Sequence, residues 1–267
     1  PKDVGVVVVV LLPKAEGGSR PIGLLPHLPM IWMRARRDEA KHWEAKCNRS
    51  FLYAGSGKGS TVAAWKQSAR AEVAAASEEK YAQVLLDLVK AFERIPYRVL
   101  LREAKRLGYP MRILRLAIAT YKLPRVLRIG GAYSDVILAV RGIVAGSGNA
   151  TSEMRLVMID IVDRALVVHP TVVPTLFVDD LSSELADKEE ETVVEELGGF
   201  TELVIKRIEA DGMEVSKAKS VVSASHGPLG EAMKMKLSQT KIAYTLRIKR
   251  LGVGLAAGVA RNSKVQK

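Results

Sequence analysis

Cysteine is almost absent from this sequence of 267 residues, in which Cys47 stands alone. One cysteine excludes an internal disulfide framework and a zinc site built from several cysteines. Histidine is also scarce, and its four residues show no metal-ligand spacing. The longest uninterrupted apolar run, residues 6–12, is far shorter than the roughly 20 residues that cross a bilayer. No basic segment of the kind that opens a signal peptide precedes this run.

Acidic residues are outnumbered, with 29 Asp and Glu against 41 Lys and Arg and a net charge of +12. Seven of the acidic residues crowd into residues 184–196, so the rest of the chain is more basic still. Such a charge attracts polyanions, and nucleic acid is the leading partner, although a merely soluble basic protein has the same composition. Apolar residues make up 48%, which excludes a disordered tail.

Hydrophobic patterning predicts both strands and helices. Apolar runs at 6–12, 81–88 and 172–178 indicate strands, and 126–129 with 136–140 indicates a hairpin. Helical periodicity covers 28–47, 61–77, 97–107, 111–121, 150–167 and 187–210. Because these elements alternate without a βαβ rhythm, we predict an α+β fold with an antiparallel sheet.

Three aspartates follow apolar strands. Asp87 closes the run at 81–88, and Asp179 and Asp180 form a turn after the run at 172–178. A carboxylate at the end of a buried strand is costly unless it is paired or binds a cation. If the two strands are neighbours, the three carboxylates meet at one sheet edge, an arrangement that suits two-metal phosphoryl transfer. A solvated Asp-Asp turn is the simpler alternative.

Seven segments, in order, are similar to the motifs of reverse transcriptases. Residues 87–93 resemble the first palm motif, and Phe-Val-Asp-Asp at 177–180 resembles the aromatic-x-Asp-Asp motif. Residues 141–148 resemble the template-side motif, 212–220 the following Gly and Lys motif, and 250–253 the Leu-Gly motif of the primer grip. Upstream, Lys14 with 20–26 resembles the fingers motif, and 57–61 resembles the Gly-x-Gly-Ser-Thr segment of non-LTR retrotransposon and group II intron enzymes.

This resemblance implies a right-hand polymerase with fingers, an antiparallel-sheet palm and a partial thumb. It assigns 1–80 to the fingers, 81–107 and 141–233 to the palm, 108–140 to their connection, and 234–267 to the primer-grip hairpin and the start of the thumb. The implied activity is RNA-directed DNA polymerisation on an RNA template and a DNA primer, with dNTPs as substrates. The chain would then be one part of a longer retroelement polyprotein inside the cell, in the nucleus or the cytoplasm, with no membrane partner.

The resemblance also implies roles for individual residues. Asp87, Asp179 and Asp180 are the implied catalytic residues, and with the carbonyl of Leu88 they would hold two Mg²⁺ ions, or Mn²⁺. The implied nucleotide-binding residues are Lys14, Arg20, Ala91, Phe92, Ser147 and Lys219, with Lys217 as a rival to Lys219. Arg141, Gly142, Gly146, Leu251 and Gly252 would contact template or primer.

Three positions depart from the family pattern and keep alternatives open. The family usually has Asp where Glu93 stands, Pro where Gly148 stands and Asn where Ser216 stands. An inactive scaffold that binds RNA is therefore one alternative. An RNA-dependent RNA polymerase is another, against which the bulky Phe92 argues, because the resembling enzymes use this position to exclude a ribose 2′-hydroxyl. A basic binding module without catalysis would explain the charge but not the ordered motifs.

Overall fold

A computed structural model describes residues 5–14, 17–55, 57–250 and 253–256, without the side chains of 247–250 and 253–256. The strands are β1 (Val7–Pro13), β2 (Ser19–Leu24), β3 (Lys80–Leu86), β4 (Arg125–Ile129), β5 (Ala132–Tyr133), β6 (Val173–Phe177), β7 (Asp180–Asp187), β8 (Val221–Ala224), β9 (Ala243–Tyr244), β10 (Arg247–Arg250) and β11 (Val253–Ala256). The helices are α1 (His27–Ala35), α2 (Arg37–Lys46), α3 (Ser60–Ala76), α4 (Ala91–Arg94), α5 (Tyr97–Leu107), α6 (Met111–Tyr121), α7 (Ala150–Val168), α8 (Glu190–Ala210) and α9 (Gly227–Lys236). None of the described helices is both long and apolar enough to cross a membrane.

The chain divides into two compact units, each built from separate stretches of sequence. The first unit comprises 1–48 and 90–158, and the second comprises 49–89 and 159–267. The fold is therefore mixed α+β, as the sequence predicts, while the division into fingers, palm and thumb stays a prediction.

The sheet of the first unit has the strand order β2-β1-β4-β5. β1 and β2 form an antiparallel hairpin, and β1 pairs with β4 in parallel. Most strand pairs in the described structure are antiparallel, as the sequence predicts, and β1 and β4 are parallel because β4 returns to β1 only after a long helical connection. The partner of β4 beyond the Gly130 turn is the short β5, and residues 136–140 contribute only a single bridge, between Arg125 and Ile137.

Helices of the first unit follow their sequence patterns with one exception. α5 and α6 have the predicted bounds, and α5 ends where Gly108 adopts a left-handed φ of +67°. The predicted helix over 28–47 is instead two helices that meet at Arg36. The guanidinium of Arg36 lies 4.7 Å from the ring centre of Trp32 and donates to Glu39, so its side chain ties the two helices together across the break.

The second unit is built on a five-stranded sheet of order β6-β7-β3-β8-β9. β3 lies at the centre and pairs antiparallel with both β7 and β8, whereas β8 and β9 are parallel. One face carries apolar, buried residues, among them Val84, Leu86 and Leu181. This face supplies the hydrophobic core expected of a strand with inward apolar residues at every second position.

The opposite face of the same strands is unusually polar for a buried surface. By register, Gln83 of β3 is paired with Glu184 of β7, and both side chains are buried. α3 covers this face with polar side chains, since Gln67 donates to Ser182 and Arg70 donates to Glu184. The polar residues of strand and helix therefore satisfy one another, as buried polar groups must.

The outer edge of β6 is covered by the segment 51–53. Leu52 forms a parallel bridge with Leu176, through hydrogen bonds of 2.9 Å from Tyr53 N–H and 2.7 Å to the carbonyl of Phe51. The amine of Lys58 donates to the carbonyl of Leu52 at 2.7 Å. This segment fixes β6, the strand that leads into Asp179.

α8 begins later than the sequence predicts, at Glu190 rather than 187. The helical pattern over 187–210 predicts that Val194, Leu197, Val204 and Ile208 face inward. Leu197, Val204 and Ile208 are buried as predicted, whereas Val194 is only half-buried and its neighbour Val193 is fully buried. A shift of one residue turns a helix by about 100°, enough to exchange adjacent side chains at the edge of the apolar face.

Candidate functional site

The three predicted carboxylates lie at one end of the five-stranded sheet. The last paired residues of β3 and β7 are Leu86 and Leu181, so one further step of the register sets Asp87 opposite Asp180. Asp179 occupies the turn between β6 and β7, whose first pair is Phe177 with Asp180. All three aspartates are half-buried. The pairing of the strands therefore brings the backbone positions of the three aspartates to one end of the sheet, as the two apolar runs predict.

The backbone of Asp87 is held by the loop that precedes β8. Its N–H donates to Ser220 Oγ at 3.1 Å, and its carbonyl accepts from Ser216 N–H at 2.7 Å. Ser220 is fully buried. Two bonds to one loop fix the direction in which Asp87 leaves the strand. Ser216 and Ser220 lie within the motif at 212–220, but the motif alone does not indicate that they support Asp87.

Leu88 continues the strand as a single bridge to Val215. The bridge uses the N–H of Val89 and the carbonyl of Asp87, which bond to Glu214 and Ser216. The carbonyl of Leu88 is not used in this bridge. Its proposed role as a metal ligand is thus compatible with the local hydrogen bonding.

The turn that carries Asp179 contains a strained residue. Val178 has a φ of +60°, in the left-handed region that β-branched residues rarely adopt. Such a conformation costs about 1–3 kcal/mol and persists only where the surroundings enforce it. Here the pairing of β6 with β7 enforces the turn, and the strained residue directly precedes a candidate catalytic aspartate.

Lys219 lies at the same end of the sheet. It lies in the turn between Val215, which bridges Leu88, and β8, whose first residue paired with β3 is Val221. Both Lys219 and its rival Lys217 are exposed in this turn. An exposed cation at this end of the sheet suits contact with a phosphate group.

The donor set at this end of the sheet is chemically suited to Mg²⁺, which prefers oxygen ligands. Among the described residues, however, no group of three or more His, Cys, Asp and Glu side chains is arranged to hold a metal ion. Mg²⁺ usually binds through one or two carboxylates and substrate phosphates rather than in an all-protein cage. The residues therefore fit a metal that arrives with a phosphate ligand.

The remaining predicted residues belong to the first unit and are described there. Lys14 is exposed at the turn of the β1–β2 hairpin, and Arg20 is exposed on β2 opposite Leu12. Ala91 is buried at the start of α4, followed by the half-buried Phe92, whereas Arg141 is exposed.

Gly142 and Gly146 are sites where two backbones approach closely. Gly142 has a φ of +95°, and a Cβ added there would lie 2.5 Å from the carbonyl oxygen of Glu93. Gly146 has a φ of +114°, and an added Cβ would lie 2.6 Å from the carbonyl oxygen of Gly23. Packing within the first unit thus requires both glycines, whether or not they also contact template.

Ser147 is buried just before α7 and takes part in a hydrogen-bonded cluster. Its Oγ lies 2.6 Å from the hydroxyl of Tyr121, which lies 2.7 Å from Oε2 of Glu153. Glu153 is fully buried, and this burial raises the pKa of its carboxyl to about 8 despite the bond from Tyr121. Burial beside Glu153 also raises the pKa of the Tyr121 hydroxyl well above its usual value. Tyr121 and Glu153 lie outside the family motifs, and no local pattern in the sequence indicated their pairing.

Glu184 differs from its neighbours in the acidic run at 184–196. It is buried at 2% exposure and accepts from Arg70 and from the hydroxyl of Tyr81, the latter at 2.5 Å. It therefore belongs to the polar interior of the sheet, not to the solvated acidic surface formed by its sequence neighbours.

Leu251 and Gly252, the predicted primer-side residues, lie outside the described residues. Their predicted role stays a prediction from the sequence.

The chain is similar in fold to solved telomerase structures. It matches apo telomerase of Candida tropicalis truncated from its C-terminal domain, with a TM-score of 0.64 and 12% identity over 95% of this chain and 54% of that one. It also matches two telomerases in complex with the TWJ fragment of telomeric RNA. For that of Candida tropicalis the TM-score is 0.59 and the identity 12%, over 84% of this chain and 41% of that one. For that of Candida albicans the TM-score is 0.60 and the identity 13%, over 100% and 47%.

These likenesses show a fold shared with the telomerases, and the chain spans about half the length of the telomerases it matches. The sequence matches no protein-family profile and no curated protein.

Proposed function

We propose that this chain is the core of an RNA-directed DNA polymerase, which adds dNTPs to the 3′-hydroxyl of a DNA primer on an RNA template. The observation that carries the proposal is the convergence of Asp87, Asp179 and Asp180 at one end of the five-stranded sheet. The telomerase-like fold and the net charge of +12 support it, and two of the matched telomerases were solved with RNA.

In this proposal the three aspartates and the carbonyl of Leu88 hold two Mg²⁺ ions, with Mn²⁺ as a substitute. When bound, these ions would neutralise the charge that develops on the attacking and leaving oxygens. Ser216 and Ser220 orient Asp87 through its backbone, and the strained turn at Val178 orients Asp179. Lys219 contributes a cation for the triphosphate or for the leaving pyrophosphate.

Primer extension on an RNA template with Mg²⁺ tests the proposal. Asp179→Asn removes one ligand charge and should reduce extension to the level of a reaction without enzyme. Asp187→Asn is the matched control, because Asp187 stands at the opposite end of β7 and accepts a hydrogen bond from Glu189 N–H, which asparagine preserves. Extension by the Asp179→Asn variant at the rate of the Asp187→Asn control would falsify the assignment.

Thermal unfolding separates a catalytic effect from a loss of fold. Asp179 and Asp180 carry like charges in adjacent positions, so removing one charge should leave the melting temperature unchanged or raise it. A large drop in melting temperature together with lost extension would instead indicate a structural role for Asp179.

An RNA-binding scaffold without catalysis is the second candidate. It is favoured by the lack, in the described part of the chain, of a ready three-ligand metal group. The scaffold binds RNA but shows no extension with either Mg²⁺ or Mn²⁺. In both candidates binding is electrostatic, and contact with about six phosphates should lower affinity by roughly 10³ between 50 and 200 mM salt.

Phe92 provides the test that separates DNA from RNA synthesis. If its ring excludes a ribose 2′-hydroxyl, Phe92→Val should raise rNTP use more than it lowers dNTP use. If Phe92 only packs in the core, the variant should lose stability and depress both activities together. The measurement is the ratio of dNTP to rNTP efficiency, with a melting curve for each protein. An origin in a non-LTR or group II-like retroelement rests on the sequence motifs alone.

A further inference from the structure

The hydrogen-bonded cluster around Tyr121 has more contacts than its two hydroxyl groups have protons. The Tyr121 hydroxyl has one proton but lies within hydrogen-bond distance of two oxygens, Ser147 Oγ at 2.6 Å and Glu153 Oε2 at 2.7 Å. Ser147 Oγ also accepts from the N–H of Asn149 at 3.3 Å and lies 3.6 Å from Met33 Sδ. One of the two bonds at Tyr121 must therefore be donated by its partner.

Only one protonation state supplies a proton to every contact. If Glu153 is a neutral acid, it donates to Tyr121, Tyr121 donates to Ser147, and Ser147 donates to the sulfur of Met33. If Glu153 is ionised, Tyr121 must donate to the carboxylate and Ser147 must donate to Tyr121. The contact between Ser147 and Met33 then has no proton, because the serine hydroxyl has only one.

Within the described part of the chain, no cation is bonded to the Glu153 carboxyl. From α6 and α5 it faces the hydroxyls of Tyr121 and Tyr97, and Tyr109 lies in the loop between these helices. The guanidinium of Arg125 donates to the backbone carbonyl of Tyr121 at 3.0 Å. On α7 itself, Arg155 pairs with Glu44 of α2. Oε1 of Glu153 is buried with no hydrogen-bond partner among the described residues.

We propose that Glu153 is a positioning residue that remains a neutral carboxylic acid at neutral pH. Its proton begins a donor chain through Tyr121 to Ser147, and this chain fixes the turn of Gly146 and Ser147 before α7. The chain itself does not depend on the proposed function. Only the further step, in which the fixed turn presents Ser147 to a nucleotide, rests on it.

Infrared spectroscopy of the protein without nucleic acid tests the protonation directly. At pH 7 the wild type should show the C=O stretch of a protonated carboxylic acid that is missing in Glu153→Gln. The band should vanish as the pH rises through about 8, where the Glu153 carboxyl loses its proton. A wild-type spectrum that matches Glu153→Gln at pH 7 would overturn the proposal.

The pH dependence of unfolding gives a second, independent measurement. Between the pKa of an unfolded glutamate, about 4.3, and the raised folded value near 8, only the folded state keeps the proton. Stability therefore falls as pH rises through this window, by up to about tenfold in the unfolding constant per pH unit, and levels off above it. Glu153→Gln should lack this dependence, and an unchanged dependence in that variant contradicts the proposal.

Glu103 offers the matched control. It is buried to the same degree but accepts from both Arg102, at 2.6 Å, and Arg106, at 2.7 Å. Glu103→Gln should therefore keep the wild-type acid band and the fall of stability with pH. If the acid band is lost in Glu103→Gln, the band belongs to Glu103 and the proposal for Glu153 fails.

Amide hydrogen exchange at Asn149 tests the positioning itself. Glutamine can donate to Tyr121 as the neutral acid does, so Glu153→Gln should keep the protection of the Asn149 amide, whereas Glu153→Ala should lose it at least tenfold. Equal protection in all three proteins would show that Glu153 does not fix the turn. None of these measurements requires polymerase activity. If primers are not extended, the proposed function fails while the role of Glu153 is still decided.

Discussion

Each of the two units contains a buried glutamate that is bonded to a tyrosine hydroxyl, but the two glutamates are stabilised differently. Glu184 in the second unit accepts from Tyr81 and also from Arg70, whose side chain is about a third exposed. Among the residues that the structure describes, the carboxyl of Glu153 in the first unit is bonded only to the hydroxyl of Tyr121. A buried carboxylate can keep its charge beside a guanidinium or lose it by taking up a proton. The two pairs therefore differ by one neighbour, the guanidinium of Arg70 beside Glu184.

Glu153 is neutral in our proposal although its position in the helix favours a negative charge. It lies in the first turn of α7, where the helix dipole favours a negative charge. That effect amounts to about 0.3–1 kcal/mol at ordinary sites and up to about 2 kcal/mol in the best ones. Burial of an ion costs several kcal/mol. Burial therefore outweighs the dipole, in keeping with the raised pKa of the carboxyl.

Removing the guanidinium from Glu184 should have the largest effect on this comparison. Breaking a buried ion pair costs about 3–5 kcal/mol, and we expect about 2–3 kcal/mol for Arg70→Gln because solvent screens the partly exposed arginine. Urea unfolding of the variant and the wild type at one pH measures the loss.

Lys66→Gln controls for the loss of a positive charge from α3, because Lys66 is an exposed residue of the same helix. Its amine lies 5.5 Å from the ring centre of Tyr53, an exposed contact worth about 0.5–1 kcal/mol, so its effect on the unfolding free energy should not exceed about 1 kcal/mol. If Arg70→Gln is as mild as Lys66→Gln, the guanidinium is not what stabilises Glu184.

Removing the tyrosine hydroxyls should affect the two pairs unequally. Tyr121→Phe leaves Glu153 and Ser147 without their shared partner, and we expect a loss of about 2 kcal/mol. Tyr81→Phe leaves Glu184 with Arg70, so about 1 kcal/mol is expected. Equal losses at pH 7 would mean that the guanidinium does not compensate for the missing hydroxyl.

The smallest effect is expected at Glu103, which has two arginine partners. Arg106→Ala leaves the bond from Arg102 in place, and both arginines are more than a third exposed, so the loss should be about 0.5 kcal/mol. The double variant Arg102→Ala/Arg106→Ala leaves a buried carboxylate alone and should lose clearly more than the sum of the single variants. A purely additive result would contradict the redundancy of the two partners.

Elements with strong local patterns could be predicted from the sequence. α5 and α6 have the predicted bounds because their apolar residues recur with helical spacing and Gly108 ends the first of them. The end of the sheet with Asp87, Asp179 and Asp180 was predictable because each follows an apolar strand. Antiparallel pairing of neighbouring strands then brings their ends together.

Features set by distant contacts could not be predicted in this way. The break at Arg36 depends on the contacts of its side chain with Trp32 and Glu39 rather than on a helix-breaking residue. The pairing of Tyr121 with Glu153 joins two helices whose sequences show ordinary amphipathic patterns. Glu184 falls within an acidic run, where composition hides the alternation of a strand.

The order of the strands along the chain has a consequence for synthesis on the ribosome. The central strand β3 is made early, but its neighbours β7 and β8 are made only after α4, α5, α6 and α7. Until then the edges of an apolar strand have no partner, which is the state in which unfinished chains aggregate. α3, which precedes β3 and contacts it, covers one face of β3 but leaves both of its edges open until β7 and β8 emerge.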